Sequence, residues 1–136
     1  NPNSTRPWQH VFEALRGYLI LSIKLNKNEK LHGEAFNFGP KNNQNKKVID
    51  LVNEIKKNWK NINWTIKKSE NIYKESNLLK LNSNKSKKYL KWQPVLNFSK
   101  TIEMVSKWYV SFYDKKNNII SISKKQVLDY AKEVKN

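Results

Sequence analysis

Six tyrosines, two histidines and three glycines are the residues of this sequence whose types could carry chemistry. A tyrosine can act as an acid or base when a lysine stands four residues later, because the ammonium lowers the phenol's pKa. None is so placed: Tyr18, Tyr73, Tyr89, Tyr109, Tyr113 and Tyr130 precede Ser22, Asn77, Gln93, Tyr113, Asn117 and Val134 at that spacing. A phosphate-cradling loop needs glycines clustered between a strand and a helix, and Gly17, Gly33 and Gly39 are too scattered to supply it. His10 and His32 stand in unrelated contexts, so no Ser-His-Asp set follows from them, and without cysteine there is neither a thiolate metal site nor a disulfide framework. By residue content the chain is not a self-sufficient catalyst.

The elements that would position any site are legible in the periodicity. Val11, Ala14, Leu15, Tyr18, Leu19, Leu21 and Leu25 recur at helical spacing and predict a helix over 11–27. Residues 35–40, Ala-Phe-Asn-Phe-Gly-Pro, predict a short strand ended by a Gly-Pro stop. Val48, Ile49, Leu51, Val52, Ile55 and Trp59 predict a second helix, residues 64–66 and 78–81 two further strands, and residues 84–90 a short helix before Pro94.

Asn97 is a good N-cap for a helix carrying Phe98, Ile102, Val105, Trp108, Tyr109 and Phe112 and ending near Lys115 and Lys116. That stripe and Trp92 are expected in the core, or the stripe at a subunit interface. Ser123 with Gln126 predicts a capping box opening a last short helix through Val134. Helices alternating with short strands give an α/β or α+β class. The expected organisation is one domain over 1–116 and a C-terminal tail over 117–136.

At 136 residues and 38% hydrophobic, the chain can bury one modest core, and no apolar run reaches the ~20 residues that span a bilayer. A soluble, cytoplasmic protein with no membrane partner is expected. An opening of Asn1-Pro2-Asn3, without an initiator Met, predicts a true start upstream. The net charge of +16 suggests a nucleic-acid partner held by its phosphates. Against that, only Arg6 and Arg16 are arginine, and base readout favours arginine's planar fork over lysine. Joint enrichment in Lys, Asn and Ile is what the codons of an AT-rich genome produce. A basic nucleic-acid-binding module and an inactive gene remnant stand as alternatives to the reading below.

Four separated stretches carry a resemblance. Residues 1–11, Asn-Pro-Asn-Ser-Thr-Arg-Pro-Trp-Gln-His-Val, resemble the segment that opens the substrate domain of the CDP-glucose 4,6-dehydratases, within the extended short-chain dehydrogenases. Phe36-Asn37-Phe38-Gly39-Pro40 is similar to that family's strand end. Lys74-Glu75 with residues 79–85 is similar to its His-Glu and Leu-Lys-Leu-Asp-x-Ser-Lys stretch, and residues 90–94 to its Leu-Gly-Trp-x-Pro. The sequence departs from the pattern at Lys74, Asn82, Asn84 and Lys91, where the family has His, Asp, Ser and Gly. The Lys91 change costs up to ~1 kcal/mol if φ is positive there.

The resemblance implies an α/β fold in which this chain is the C-terminal substrate-binding portion and an N-terminal Rossmann domain holds NAD. It implies a lyase that converts CDP-glucose to CDP-4-dehydro-6-deoxyglucose and water, in deoxysugar and O-antigen biosynthesis. The catalytic residues of that reaction would lie outside this chain, and the full-length protein would be a homodimer or homotetramer.

Carried over position by position, Arg6 matches the arginine that contacts the nucleotide pyrophosphate, a role suited to a guanidinium that pairs two phosphate oxygens at once. Trp8 and His10 belong to the same motif and are candidates to line the nucleotide pocket. Both are equally compatible with a core position. Val48 sits where relatives place a side chain against base or phosphate, although plain packing explains it better. Glu75 matches a glutamate near the nucleotide that could accept from the cytosine amino group, or is an exposed connector residue.

Overall fold

The computed structural model describes residues 1–41, 45–66, 78–114 and 118–135. Four helices dominate: α1 (Val11–Leu25), α2 (Val48–Asn58), α3 (Phe98–Asp114) and α4 (Ile119–Lys135). Two short strands, β1 (Thr5–Arg6) and β2 (Lys46–Lys47), pair antiparallel with Thr5 opposite Lys47 and Arg6 opposite Lys46. α2 packs on α3, and α3 on α4.

The helix starts follow local chemistry. His10 has extended backbone and its Nδ1 accepts from the Phe12 N–H at 3.3 Å, satisfying one of the donors that a helix leaves open at its start. Asp50 Oδ2 accepts from the Lys47 N–H at 2.9 Å, and Asn97 Oδ1 from the Lys100 N–H at 2.8 Å, as expected of Asn97. α4 starts four residues before the predicted capping box. Asn118 Oδ1 caps it, accepting from Ile120 N at 3.0 Å, while Ser123 lies inside the helix and its hydroxyl donates to the Ile119 carbonyl. Asparagine one turn upstream captures the donors first, so Ser123 has none left to cap.

The predicted strands at 35–40, 64–66 and 78–81 do not form ladders; Leu78 makes only an isolated parallel bridge to Thr5. The segment at Phe36 to Pro40 is nonetheless pinned by side chains. Gln9 Nε2 donates to the Phe38 carbonyl at 2.7 Å, Ser86 Oγ to the Asn37 carbonyl at 2.5 Å, and the Gly39 N–H to Ser83 Oγ at 2.9 Å. A ladder needs backbone-to-backbone bonds, and the described neighbour at residues 81–83 instead meets this segment through side chains, with Asn37 Nδ2 donating to the Asn82 carbonyl at 3.5 Å. The architecture is therefore helix-dominated with a two-stranded sheet, short of the alternating α/β pattern expected.

One core gathers Leu31, Phe38, Leu90 and Trp92, with Ile20, Leu21, Leu25 and Phe36 against it; Trp92 is 0% exposed, as predicted. A second joins Leu96, Met104 and Tyr130 with Phe12 and Val95. α1 turns its Glu13 and Gly17 face to these cores and leaves Val11, Leu15, Tyr18, Leu19 and Ile23 exposed at 47–67%. Gly17 is what permits the approach: a Cβ there would stand 2.5 Å from the Phe38 ring. Of the α3 stripe, Ile102 is buried while Tyr109 and Phe112 are about half exposed.

Candidate functional site

Residues 4–8 form a strap that crosses the start of α2. The Val48 N–H donates to the Ser4 carbonyl and the Ile49 N–H to the Pro2 carbonyl, each at 3.0 Å, so the first turn of α2 is tied to the strap through its own open donors. Trp8 Nε1 donates to the Lys46 carbonyl at 3.0 Å, and Arg6 NH1 to the Thr5 carbonyl at 2.7 Å. Arg6, Trp8 and the half-buried Val48 thus come together around β2, through contacts between segments some 40 residues apart.

Charge is concentrated there. Arg6 faces Lys46 across the strand pair, and Lys47 adjoins with its ammonium on Asn3 Oδ1 at 3.2 Å. Like charges directly opposite each other in a strand pair are destabilising, and an anion between them reverses the sign. Lys46 and Lys47 escape sequence reasoning as site residues, because a short polar loop offers no periodicity to mark them.

His10 does not join this cluster. It is 4% exposed, its imidazole occupied as the α1 cap and its ring 4.5 Å from that of Phe12. Burial lowers its pKa below the ordinary histidine value, partly opposed by the nearby Glu13 carboxylate, which favours the neutral ring that can accept from Phe12. His10 also borders an apolar groove of about 470 Å³ lined by Gln9, Phe12, Trp108, Tyr109 and Val127. Glu75 lies outside the described residues.

The residue that sequence reasoning missed altogether is Glu13, 1% exposed in the first turn of α1. Its Oε1 accepts from the Val95 and Leu96 N–H groups at 2.8 Å each, and its Oε2 from the Tyr130 hydroxyl at 2.8 Å. Arg16 lies 3.5 Å away, donates from Nε to Tyr130 at 2.9 Å, and also reaches the Gln93 carbonyl. Burial first, then donation to Glu13, pushes the Tyr130 phenol well above the ordinary tyrosine range, so it stays a donor. The signal in the sequence was faint: Glu13 and Gly17 share a helix face with Ile20 and Leu21, a polar residue in line with apolar ones.

The family's motif departures now have a local setting. Asn82 Oδ1 accepts from the Asn84 N–H at 2.9 Å, the same turn-closing bond an aspartate would make. Lys91 has φ +57°, at the end of the turn Ser86–Leu90, where glycine would be unstrained.

No family model matches the chain. A CDP-glucose 4,6-dehydratase of Salmonella typhimurium (strain LT2) is 32% identical to it over 131 residues. That alignment takes in 96% of this chain. The chain is a relative of CDP-glucose 4,6-dehydratase. It spans only 36% of the length of that dehydratase. Among the described residues no helix is long and apolar enough to cross a membrane, and no group of three or more His, Cys, Asp or Glu could hold a metal ion.

Proposed function

We propose that this chain is the C-terminal, sugar-nucleotide-holding part of an NAD-dependent CDP-glucose 4,6-dehydratase, with Arg6 on the pyrophosphate and Trp8 beside the nucleotide. The observation that carries this reading is the cationic strap: Arg6 is set against Lys46 and Lys47 by a strand pair, inside a region similar to a CDP-glucose 4,6-dehydratase. A pyrophosphate carries the charge this cluster favours, and the guanidinium can bond two of its oxygens at once. Val48 and Glu75 belong to the same proposal as flanking contacts to the base, and residues 117–136 as a C-terminal extension of the binding unit.

The described residues do not fit NAD. Gly17 is packed against the Phe38 ring inside α1, Gly39 stands against Leu81 and Ser83, and neither opens a strand-turn-helix cradle. NAD and the residues that move protons are assigned to a preceding part of the full-length enzyme, and the redox step belongs to that part. The exposed stripe Val11, Leu15, Tyr18, Leu19 and Ile23 supports such a part, since an apolar helix face of this length is ordinarily covered. The full-length enzyme would be a cytoplasmic homo-oligomer.

Calorimetric titration of CDP-glucose tests the reading, on this chain and on the chain joined to the preceding part of its relative. Arg6→Ala should weaken binding about 10- to 100-fold, the loss of a charge-assisted contact. Equal affinity in wild type and Arg6→Ala would remove the clamp role, and no binding in either form would remove the substrate class.

A further inference from the structure

Glu13 is the most deeply buried charged side chain among the described residues, and no step of the proposed function uses it. Its position is unusual in what it joins. The carboxylate takes two backbone N–H groups from the turn at Val95 and Leu96 and the Tyr130 hydroxyl from α4. Its own backbone carbonyl accepts from Trp92 Nε1 at 3.2 Å, and its N–H donates to the His10 carbonyl at 3.0 Å. Two segments distant in sequence, residues 92–96 and α4, therefore meet on one turn of α1.

That turn is also where the cationic strap leaves the helix. His10 caps it, Gln9 holds the Phe38 carbonyl, and Phe12 packs its ring 5.5 Å from that of Tyr130. The charged and titratable groups facing Glu13 are Arg16 and His10 on its own element and Tyr130 from α4. A carboxylate suits this place better than an amide, because all four of its bonds are accepted and none needs to be donated.

We propose that Glu13 is a positioning residue: its buried carboxylate, completed by Tyr130 from α4, orients the first turn of α1 and thereby the strap that carries Arg6 and Trp8. The inference rests on the reading of that strap as the nucleotide-holding element. It makes α4 part of the binding unit by way of Glu13 and Phe12. Glu13→Gln presents an N–H₂ where Tyr130 and Arg16 both donate, so the cluster opens on one side while side-chain volume is conserved.

Hydrogen exchange followed by NMR on the 136-residue chain separates this from local structure alone. In Glu13→Gln the Val95 and Leu96 amides should exchange faster, and so should the Val48 and Ile49 amides that bond the strap, by about tenfold relative to Ile102 in α3. Tyr130→Phe, which removes a single hydroxyl, should produce the same pattern at lower amplitude. Acceleration confined to Val95 and Leu96, or uniform acceleration of every amide including Ile102 in both variants, would overturn the proposal. The readout involves no ligand, so it can fail while CDP-glucose binding and its loss in Arg6→Ala stand, and the reverse.

Discussion

The Tyr130 hydroxyl reaches across 117 positions of sequence to donate a 2.8 Å hydrogen bond to Glu13 Oε2. This pair joins the last helix to the first, and its carboxylate is one of the most buried side chains of the molecule. Glu13→Ala strips the acceptor from four donors at once, the Val95 and Leu96 N–H groups, the Tyr130 hydroxyl and the Arg16 guanidinium. Each buried donor left unsatisfied costs roughly 1–3 kcal/mol. A loss of at least about 3 kcal/mol in urea unfolding is expected, against about 1–2 kcal/mol for Tyr130→Phe. A Glu13→Ala variant as stable as the parent would show that the cluster contributes nothing.

Lys91 makes the opposite prediction. Its φ of +57° lies in the left-handed region, where a side chain is strained and glycine is not. Lys91→Gly should raise stability by about 0.5–1 kcal/mol, seen as a higher urea midpoint at unchanged slope. A lower midpoint would mean that the entropy glycine adds to the unfolded chain outweighs the relieved strain.

Stability should fall in mild acid through His10. Burial lowers its folded-state pKa below the unfolded value of about 6.5. The unfolded chain therefore binds the proton more readily, and stability declines as pH falls from about 6.5 through the lower folded value. Protonation also places a hydrogen on the Nδ1 that accepts from Phe12. Thermal melts of the parent and His10→Asn between pH 7.5 and 5 should show the histidine chain losing more. Parallel curves would exclude His10 as the titrating group.

Gly17 is required by close approach alone, since it is helical and its φ is ordinary. A methyl at this position meets three Phe38 ring atoms at 2.5–2.7 Å. Helix propensity favours alanine by about 1 kcal/mol, and overpacking a core costs about 1–3 kcal/mol. The clash should win, so Gly17→Ala lowers the melting temperature, and pairing it with Phe38→Leu should recover part of the loss. A melting temperature raised by Gly17→Ala alone would mean that the ring moves aside freely.

The candidate site was readable to very different depths. Arg6 and Trp8 stood out because their motif lies within one short stretch, and the structure brings that stretch against β2 and the start of α2. His10 belongs to the same stretch yet is buried and caps α1, since as the residue before the first helical turn its Nδ1 meets the open Phe12 N–H. Lys46 and Lys47 became site residues only through pairing with β1.

By itself the sequence determined the helices Val11–Leu25, Val48–Asn58 and Phe98–Asp114 and the Asn97 cap. These rest on interactions within three or four residues, where spacing and side-chain type decide the outcome. Tertiary structure alone decided which face of α1 is buried, that residues 35–40 join no ladder, and that Glu13 binds Val95, Leu96 and Tyr130. Each of those depends on a partner far along the chain, and a buried carboxylate is stable only where such partners bring it enough donors.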